Sequence, residues 1–299
     1  MTGIIGRLLG RLTHRDGDAA GESPALSLCF YDQLHDQWMH LPFGQHVVIM
    51  SVTGGGKSNL VSDMLVNMQP EVDDGLVQIY GVDLKGGVEF NRFGGYMAGL
   101  AVDLDGTIRM LEELNRLMDE RGRVLFAEHK SSVAIGPGTP GIVLVIDEAA
   151  ELAGAVDKQT RQRQEQARSL LDRMLRLGRA LGFTVIMASQ DPRKESLALR
   201  DRCPTRIALR LNSIDEAKMA LGDSAIQAGC APWLIGARQP GTGYLYDADR
   251  NKAIRFRCQH VPDDVIEALR DAHPRIAAPH DGSHPDTGSG DDADTPPAA

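Results

Sequence analysis

Short apolar runs alternate with amphipathic stretches along this chain, and the two patterns predict its elements. Residues 47–50 (VVIM) are apolar and mostly branched, as expected of a strand covered on both faces. From 59 to 68 the apolar positions Leu60, Met64, Leu65 and Met68 recur at helical spacing. A second strand is predicted over 75–83 (GLVQIYGVD), then a loop punctuated by Gly86-Gly87 and Gly94-Gly95. Residues 105–121 set Ile108, Leu111, Leu114 and Met118 on one helical face. After a turn forced by Gly136-Pro137-Gly138 and Pro140-Gly141 comes the most hydrophobic strand, 142–146 (IVLVI). A polar helix rich in Gln and Arg is predicted over 158–181, strands over 183–189 (FTVIMAS) and 205–211 (TRIALRL). Residues 243–246 and 253–258 read as a closing hairpin. Strands separated by helices imply an α/β fold with a mostly parallel central sheet, which binds ligands at the carboxyl ends of its strands.

The ends of the chain read differently. Residues 1–16 place Ile4, Ile5, Leu8, Leu9 and Leu12 on one helical face and Arg7, Arg11 and Arg15 on another. That pattern suits an interfacial helix on an anionic membrane or a helix docked on its own domain, with Gly3, Gly6 and Gly10 weakening either. Residues 17–24 read as a linker and 24–43 as a mixed lead-in to the core. Residues 276–299 are rich in Pro, Gly, Asp and Ser/Thr and are expected to be disordered. The expected organisation is an N-terminal helix and linker (1–24), a central domain (25–262), and a short helix with an acidic tail (263–299).

The chemistry enters where the first strand ends. Ser51-Val52-Thr53-Gly54-Gly55-Gly56-Lys57-Ser58 follows a buried strand and opens a helix, the context a phosphate-binding P-loop requires. Glycines let successive backbone N–H groups turn toward one anion, and the helix adds its positive end. The candidate nucleotide-binding residues are Thr53, Gly54, Gly55, Gly56, Lys57, Ser58 and Asn59. Lys57 is expected to reach the β- and γ-phosphates of ATP and Ser58 to complete a Mg²⁺ shell. Ser51 stands where the general motif has Gly, which puts the strand-to-loop turn in question. Asp147-Glu148 end the most hydrophobic strand, so Asp147 is the second candidate Mg²⁺ group and Glu148 the candidate base for an attacking water. Gln190 ends the next strand and could sense the γ-phosphate through its amide.

Composition adds little. Hydrophobic content of 42% over 299 residues is ordinary for a soluble protein, and no apolar run reaches bilayer-spanning length. Arg7, Arg11 and Arg15 interrupt any signal peptide, and four dispersed cysteines suit reduced thiols in the cytoplasm. The net charge of −9 is concentrated at the end: residues 263–299 hold nine Asp/Glu against two Arg, which leaves −2 for the other 262 residues. A near-neutral body does not exclude a nucleic-acid partner.

Six ordered segments resemble the FtsK/SpoIIIE family of DNA translocases over about residues 44–262: TGGGKS, GVDLKGGVEF (81–90), LVIDEAAEL (144–152), RALGFTVIMASQDP (179–192), PTRIALRL (204–211) and PGTGYLY (240–246). The resemblance implies a RecA-like P-loop ATPase working as a hexameric ring on double-stranded DNA, as in the short Tra-type proteins of conjugative elements. It implies site roles for Lys57, Ser58, Asp147, Glu148 and Gln190, with Asp83 and Lys85 supporting from the edge. Arg206 becomes the candidate arginine finger and Arg210 its rival. Arg193 and Lys194 are the leading DNA-contact candidates, Lys158, Arg161 and Arg163 the weaker ones. Neither the membrane-spanning N-terminal domain nor, in 263–299, the winged-helix module of chromosomal members is expected. The expected location is cytoplasmic, with peripheral attachment at the inner membrane face as an alternative. Two other readings stand beside this one: a secretion-system ATPase moving protein, and a nucleotide-binding regulatory subunit without turnover.

Overall fold

The computed structural model describes residues 26–191 and 199–274; the predicted N-terminal helix, its linker and the 276–299 tail lie outside them. The described chain opens with an antiparallel hairpin of β1 (Ser27–Asp32) and β2 (Gln37–Pro42). The sequence pattern marks no strand here, for a physical reason. Leu28, Cys29, Phe30 and Tyr31 are all buried, so β1 shows no alternation. The turn lacks an Asn-Gly or Asp-Gly signal and is made by Asp36 at φ 53°.

Next come β3 (Val47–Met50), α1 (Lys57–Val66), α2 (Gln69–Asp73), β4 (Val77–Val82), β5 (Gly99–Ala101) and α3 (Leu104–Glu128). Then follow β6 (Gly141–Ile146), α4 (Lys158–Leu177), β7 (Phe183–Ser189), β8 (Thr205–Leu209), α5 (Ile214–Leu221) and α6 (Asp223–Gln227). The described chain closes with β9 (Thr242–Asp247), β10 (Lys252–Arg257) and α7 (Asp263–Ala272). Each strand expected from an apolar run is present. The three-residue β5 is too short to leave a pattern, and α5 and α6 went unread. A cue for α5 existed: Ser213 Oγ accepts from Glu216 N–H at 3.1 Å, the serine half of a capping box. α3 runs seven residues beyond its expected end because Gly122 does not break it; it stops at His129, in the left-handed region at φ 56°.

Eight strands form one sheet in the order β10-β9-β8-β3-β7-β6-β4-β5. β3 pairs in parallel with β7 and β8, β6 with β7 and β4, and β4 with β5. β9 and β10 return antiparallel. Alternate residues of each central strand feed opposite cores. Val47, Ile49, Val143, Val145 and Ile186 face α1, the β1–β2 hairpin and α7, where Ile266 and Leu269 are buried. Val48, Met50, Ile142, Leu144, Ile146 and Met187 face α3, α4 and α5. Burial on both faces is why these strands read as unbroken apolar runs. Parallel alignment also brings the ends of β3, β4, β6, β7 and β8 to one rim.

Candidate functional site

That rim is built from the backbone first. Ser51 N–H donates to Ser189 O at 3.2 Å and Val52 N–H to Arg210 O at 3.0 Å, so the loop after β3 is held between the ends of β7 and β8. Gly54 and Gly56 are left-handed, at φ 74° and 99°. A side chain at Gly56 would also meet Gly241 N at 2.4 Å. Ser51 fits for a local reason. Its buried hydroxyl donates to Val52 O at 2.9 Å and lies beneath Gly55, where a Cβ would be 2.1 Å from Ser51 Oγ. The departure from the motif at 51 is thus accommodated by glycine at 55.

α1 begins at Lys57 with no side-chain cap and no acidic residue in its first turn. Its first N–H groups and dipole therefore face the loop without a carboxylate from the helix itself. Lys57 is 4% exposed, and its ammonium donates to Asp147 Oδ1 at 2.7 Å and to the Asp147 carbonyl. Residues 90 positions apart thus meet in one buried ion pair. The Ser58 hydroxyl has no hydrogen-bond partner among the described residues.

Glu148, 4% exposed, is held on several sides. It accepts from the Ser189 hydroxyl at 2.5 Å, from Gln190 N–H at 3.1 Å and from Lys85 Nζ at 3.2 Å. Lys85 is aimed by Asp83, which is buried at the end of β4 and accepts from the N–H groups of Lys85 (3.1 Å), Glu89 (2.8 Å) and Phe90 (3.3 Å). Partial burial works to lower the Lys85 pKa, but the charge and hydrogen bond of Glu148 outweigh it, and the ammonium ends above its ordinary value. Gln190 Oε1 accepts from Thr53 Oγ1 at 2.8 Å, linking the end of β7 to the loop. Thr53, Lys57, Asp147, Glu148, Gln190 and Lys85 thus form one connected cluster.

The Asn59 side chain is committed elsewhere. Its Nδ2 donates to Gln259 O at 2.7 Å and its Oδ1 accepts from Val261 N–H at 2.9 Å, so only its backbone faces the loop. Arg206, the candidate arginine finger, is engaged within its own chain. It lies at the start of β8, paired with Val48, away from the rim where β8 ends. Its guanidinium donates to Leu221 O at 2.8 Å and Cys203 O at 3.3 Å, and burial lowers its pKa. The rival Arg210 is at the rim, donating to Thr53 O of its own loop at 3.2 Å. Among the weaker cationic candidates, Arg163 pairs with Asp105 and Arg161 donates to Val156 O at 3.2 Å, whereas Lys158 has no partner among the described residues. Arg193 and Lys194 lie outside the described residues.

Lower on α1, Asp63 anchors the helix. It accepts from Tyr31 N–H at 3.3 Å, Gln259 Nε2 at 2.9 Å and Asn67 Nδ2 at 2.8 Å. Burial nevertheless lifts its pKa to about 7 against the pull of those bonds. Sequence reasoning missed this strap, since nothing in the pattern links residue 63 to 259.

Loop, helix start and paired carboxylates at parallel strand ends define a P-loop ATPase fold. The solved conjugation coupling protein TcpA of pCW3, in a monomer form with ATPγS, superposes with a TM-score of 0.69 at 20% identity, over 84% of this chain and 71% of that one. The cytoplasmic domain of the type VII secretion ATPase EccC from Thermomonospora curvata gives 0.65 at 22%, over 86% and 32%. At those identities the likeness is one of fold. The family profile of the FtsK/SpoIIIE family matches residues 33–139. The chain is 28% identical over 234 residues to the transfer protein TraSA of Streptomyces ambofaciens, covering 72% of this chain. The chain spans 55% of that relative's length.

Proposed function

We propose that this chain is an ATP-driven motor that moves double-stranded DNA, as a ring of six copies, during transfer of a conjugative element. The observation that carries the reading is the buried Lys57–Asp147 pair at 2.7 Å, which joins the phosphate loop to the acidic strand end. The residues fit a magnesium-nucleotide by their donor set. The uncapped start of α1 offers N–H groups to phosphate, and Ser58 and Asp147 offer one hydroxyl and one carboxylate to a metal. Among the described residues no group of three or more His, Cys, Asp or Glu forms a metal cage. That suits magnesium, which takes few protein ligands and shares the rest with phosphate and water. When bound, the metal would neutralise charge on the phosphates.

The chain's own groups would then divide the work. Lys57 would exchange its Asp147 partner for phosphate oxygens, and Asp147 with Ser58 would then be the residues free to hold a metal. Glu148 takes the proton of the attacking water, its carboxylate oriented by Ser189, Gln190 and Lys85. Gln190, bonded to both Thr53 and Glu148, couples the loop to the base. The body at 25–262 is the motor, and α7 (263–272) packs into its core. Among the described residues no helix is long and apolar enough to cross a membrane. A membrane link would therefore come from residues outside them or from a partner protein.

ATP turnover with and without duplex DNA, alongside a mass measurement in nucleotide, tests the reading. Glu148→Gln should bind ATP yet lower turnover by about 10²-fold or more. Equal turnover in both proteins would refute the assignment of the base and leave the regulatory reading. Stimulation by a peptide and not by duplex DNA would favour protein as cargo.

A further inference from the structure

The antiparallel return of β9 and β10 carries two segments back to the rim where the phosphate loop lies. β9 runs away from that rim and β10 toward it, so the start of β9 and the end of β10 both arrive there. Gly241, before β9, donates to Gly55 O at 2.9 Å and accepts from Cys258 N–H at 3.0 Å. Just past β10, Asn59 in the first turn of α1 clasps residues 259–261, donating to Gln259 O and accepting from Val261 N–H. The same Oδ1 accepts from the ring Nδ1 of His260 at 3.0 Å. An exposed imidazole is thereby held in one orientation beside the first turn of the P-loop helix.

This side is opposite the acids. In the strand order, β7 and β6, which deliver Gln190, Asp147 and Glu148, lie on one side of β3. β8, β9 and β10 lie on the other. A triphosphate whose terminal phosphate faces Glu148 must send its nucleoside toward β9 and β10. We infer that His260, oriented by Asn59, is the stacking surface for the nucleobase. The inference rests on the nucleotide reading above. Both polar ends of the Asn59 amide are already in use, so this residue has nothing left with which to read the edge of a base. Recognition here is by the π-face, which adenine and guanine share.

The test is equilibrium binding by calorimetry of ATP, GTP and inorganic tripolyphosphate to the full chain. His260→Ala should weaken ATP and GTP alike by about tenfold, within the range found for loss of one base–aromatic stack. It should leave tripolyphosphate unchanged, and His260→Phe should restore both nucleotides. The variant should fold, because the ring is exposed and the 259–261 clasp uses backbone groups. Unchanged ATP affinity, or an equal loss for tripolyphosphate, would overturn the role of His260, as would a strong ATP-over-GTP preference that persists in His260→Ala. Lys57→Ala should weaken all three ligands. If it binds them as wild type does, the nucleotide site itself is misplaced, and the role of His260 falls with it.

Discussion

Replacing Gly55 by Ala isolates what Ser51 does to the loop. Gly55, unlike Gly54 and Gly56, is not left-handed, so alanine meets no backbone penalty there and any cost comes from packing. The new Cβ would stand 2.1 Å from Ser51 Oγ and 3.1 Å from Val52 O. To clear it, the hydroxyl must rotate away from Val52 O, giving up its 2.9 Å hydrogen bond inside a buried site. An unpaired buried hydroxyl costs about 1–3 kcal/mol, and the residual contact with the carbonyl adds about 1 kcal/mol. Gly55→Ala should therefore destabilise by about 2–4 kcal/mol. In a Ser51→Gly background only the carbonyl contact remains, and the same change should cost about 1 kcal/mol. Urea unfolding of the four proteins at equal m-values gives the coupling, expected at about 1–3 kcal/mol. A coupling below about 0.3 kcal/mol would mean the hydroxyl does not restrict position 55, and the account of Ser51 would be wrong.

The remaining expectations concern charge. Lys85→Met should lower kcat about tenfold with little change in KM, as for loss of an orienter of the base, and should shift stability by less than about 1 kcal/mol because the pair is half exposed; an unchanged kcat removes Lys85 from the site. Arg206→Ala should cost about 1–3 kcal/mol in denaturant unfolding through lost bonds to Leu221 and Cys203, while turnover per folded molecule holds; near-total loss of turnover in a stable variant would restore the arginine-finger reading. Acid stability should show two opposed groups. Burial pushes His46 down to about 4, so its contribution is complete above about pH 6.5 and is lost as pH falls toward 4. Asp63, raised to about 7, contributes fully below about pH 4 and loses that contribution as pH rises through 7. Removing the second with Asp63→Asn should steepen the loss of stability between pH 7 and 4 by up to about 4 kcal/mol. Thermal melts across that range check it, and parallel curves for variant and wild type would refute it.

The sheet was legible because its strands are buried on both faces and so spell themselves as VVIM, IVLVI and FTVIMAS. The loop was legible because glycine, lysine and serine at fixed spacing have few other uses. What escaped was long-range and polar. The partners of the Asn59 side chain and one partner of Asp63 come from 259–261, about 200 positions later, and no local period encodes that pairing. Arg206 reads from the sequence as a candidate arginine finger; only the packed α5 reveals that its guanidinium donates to the last turn of that helix. The β1–β2 hairpin was hidden by continuous burial and by a turn built on aspartate instead of glycine.

The clasp of α1 by residues 259–261 also bears on synthesis. While a ribosome is still making the middle of the chain, the P-loop helix exists with an amide at 59 whose partners, and a carboxylate at 63 one of whose partners, have not yet been translated. Ligand capture should therefore mature late, only after the final edge strand has emerged, so a nascent chain stalled short of residue 261 would carry the motif without a competent pocket.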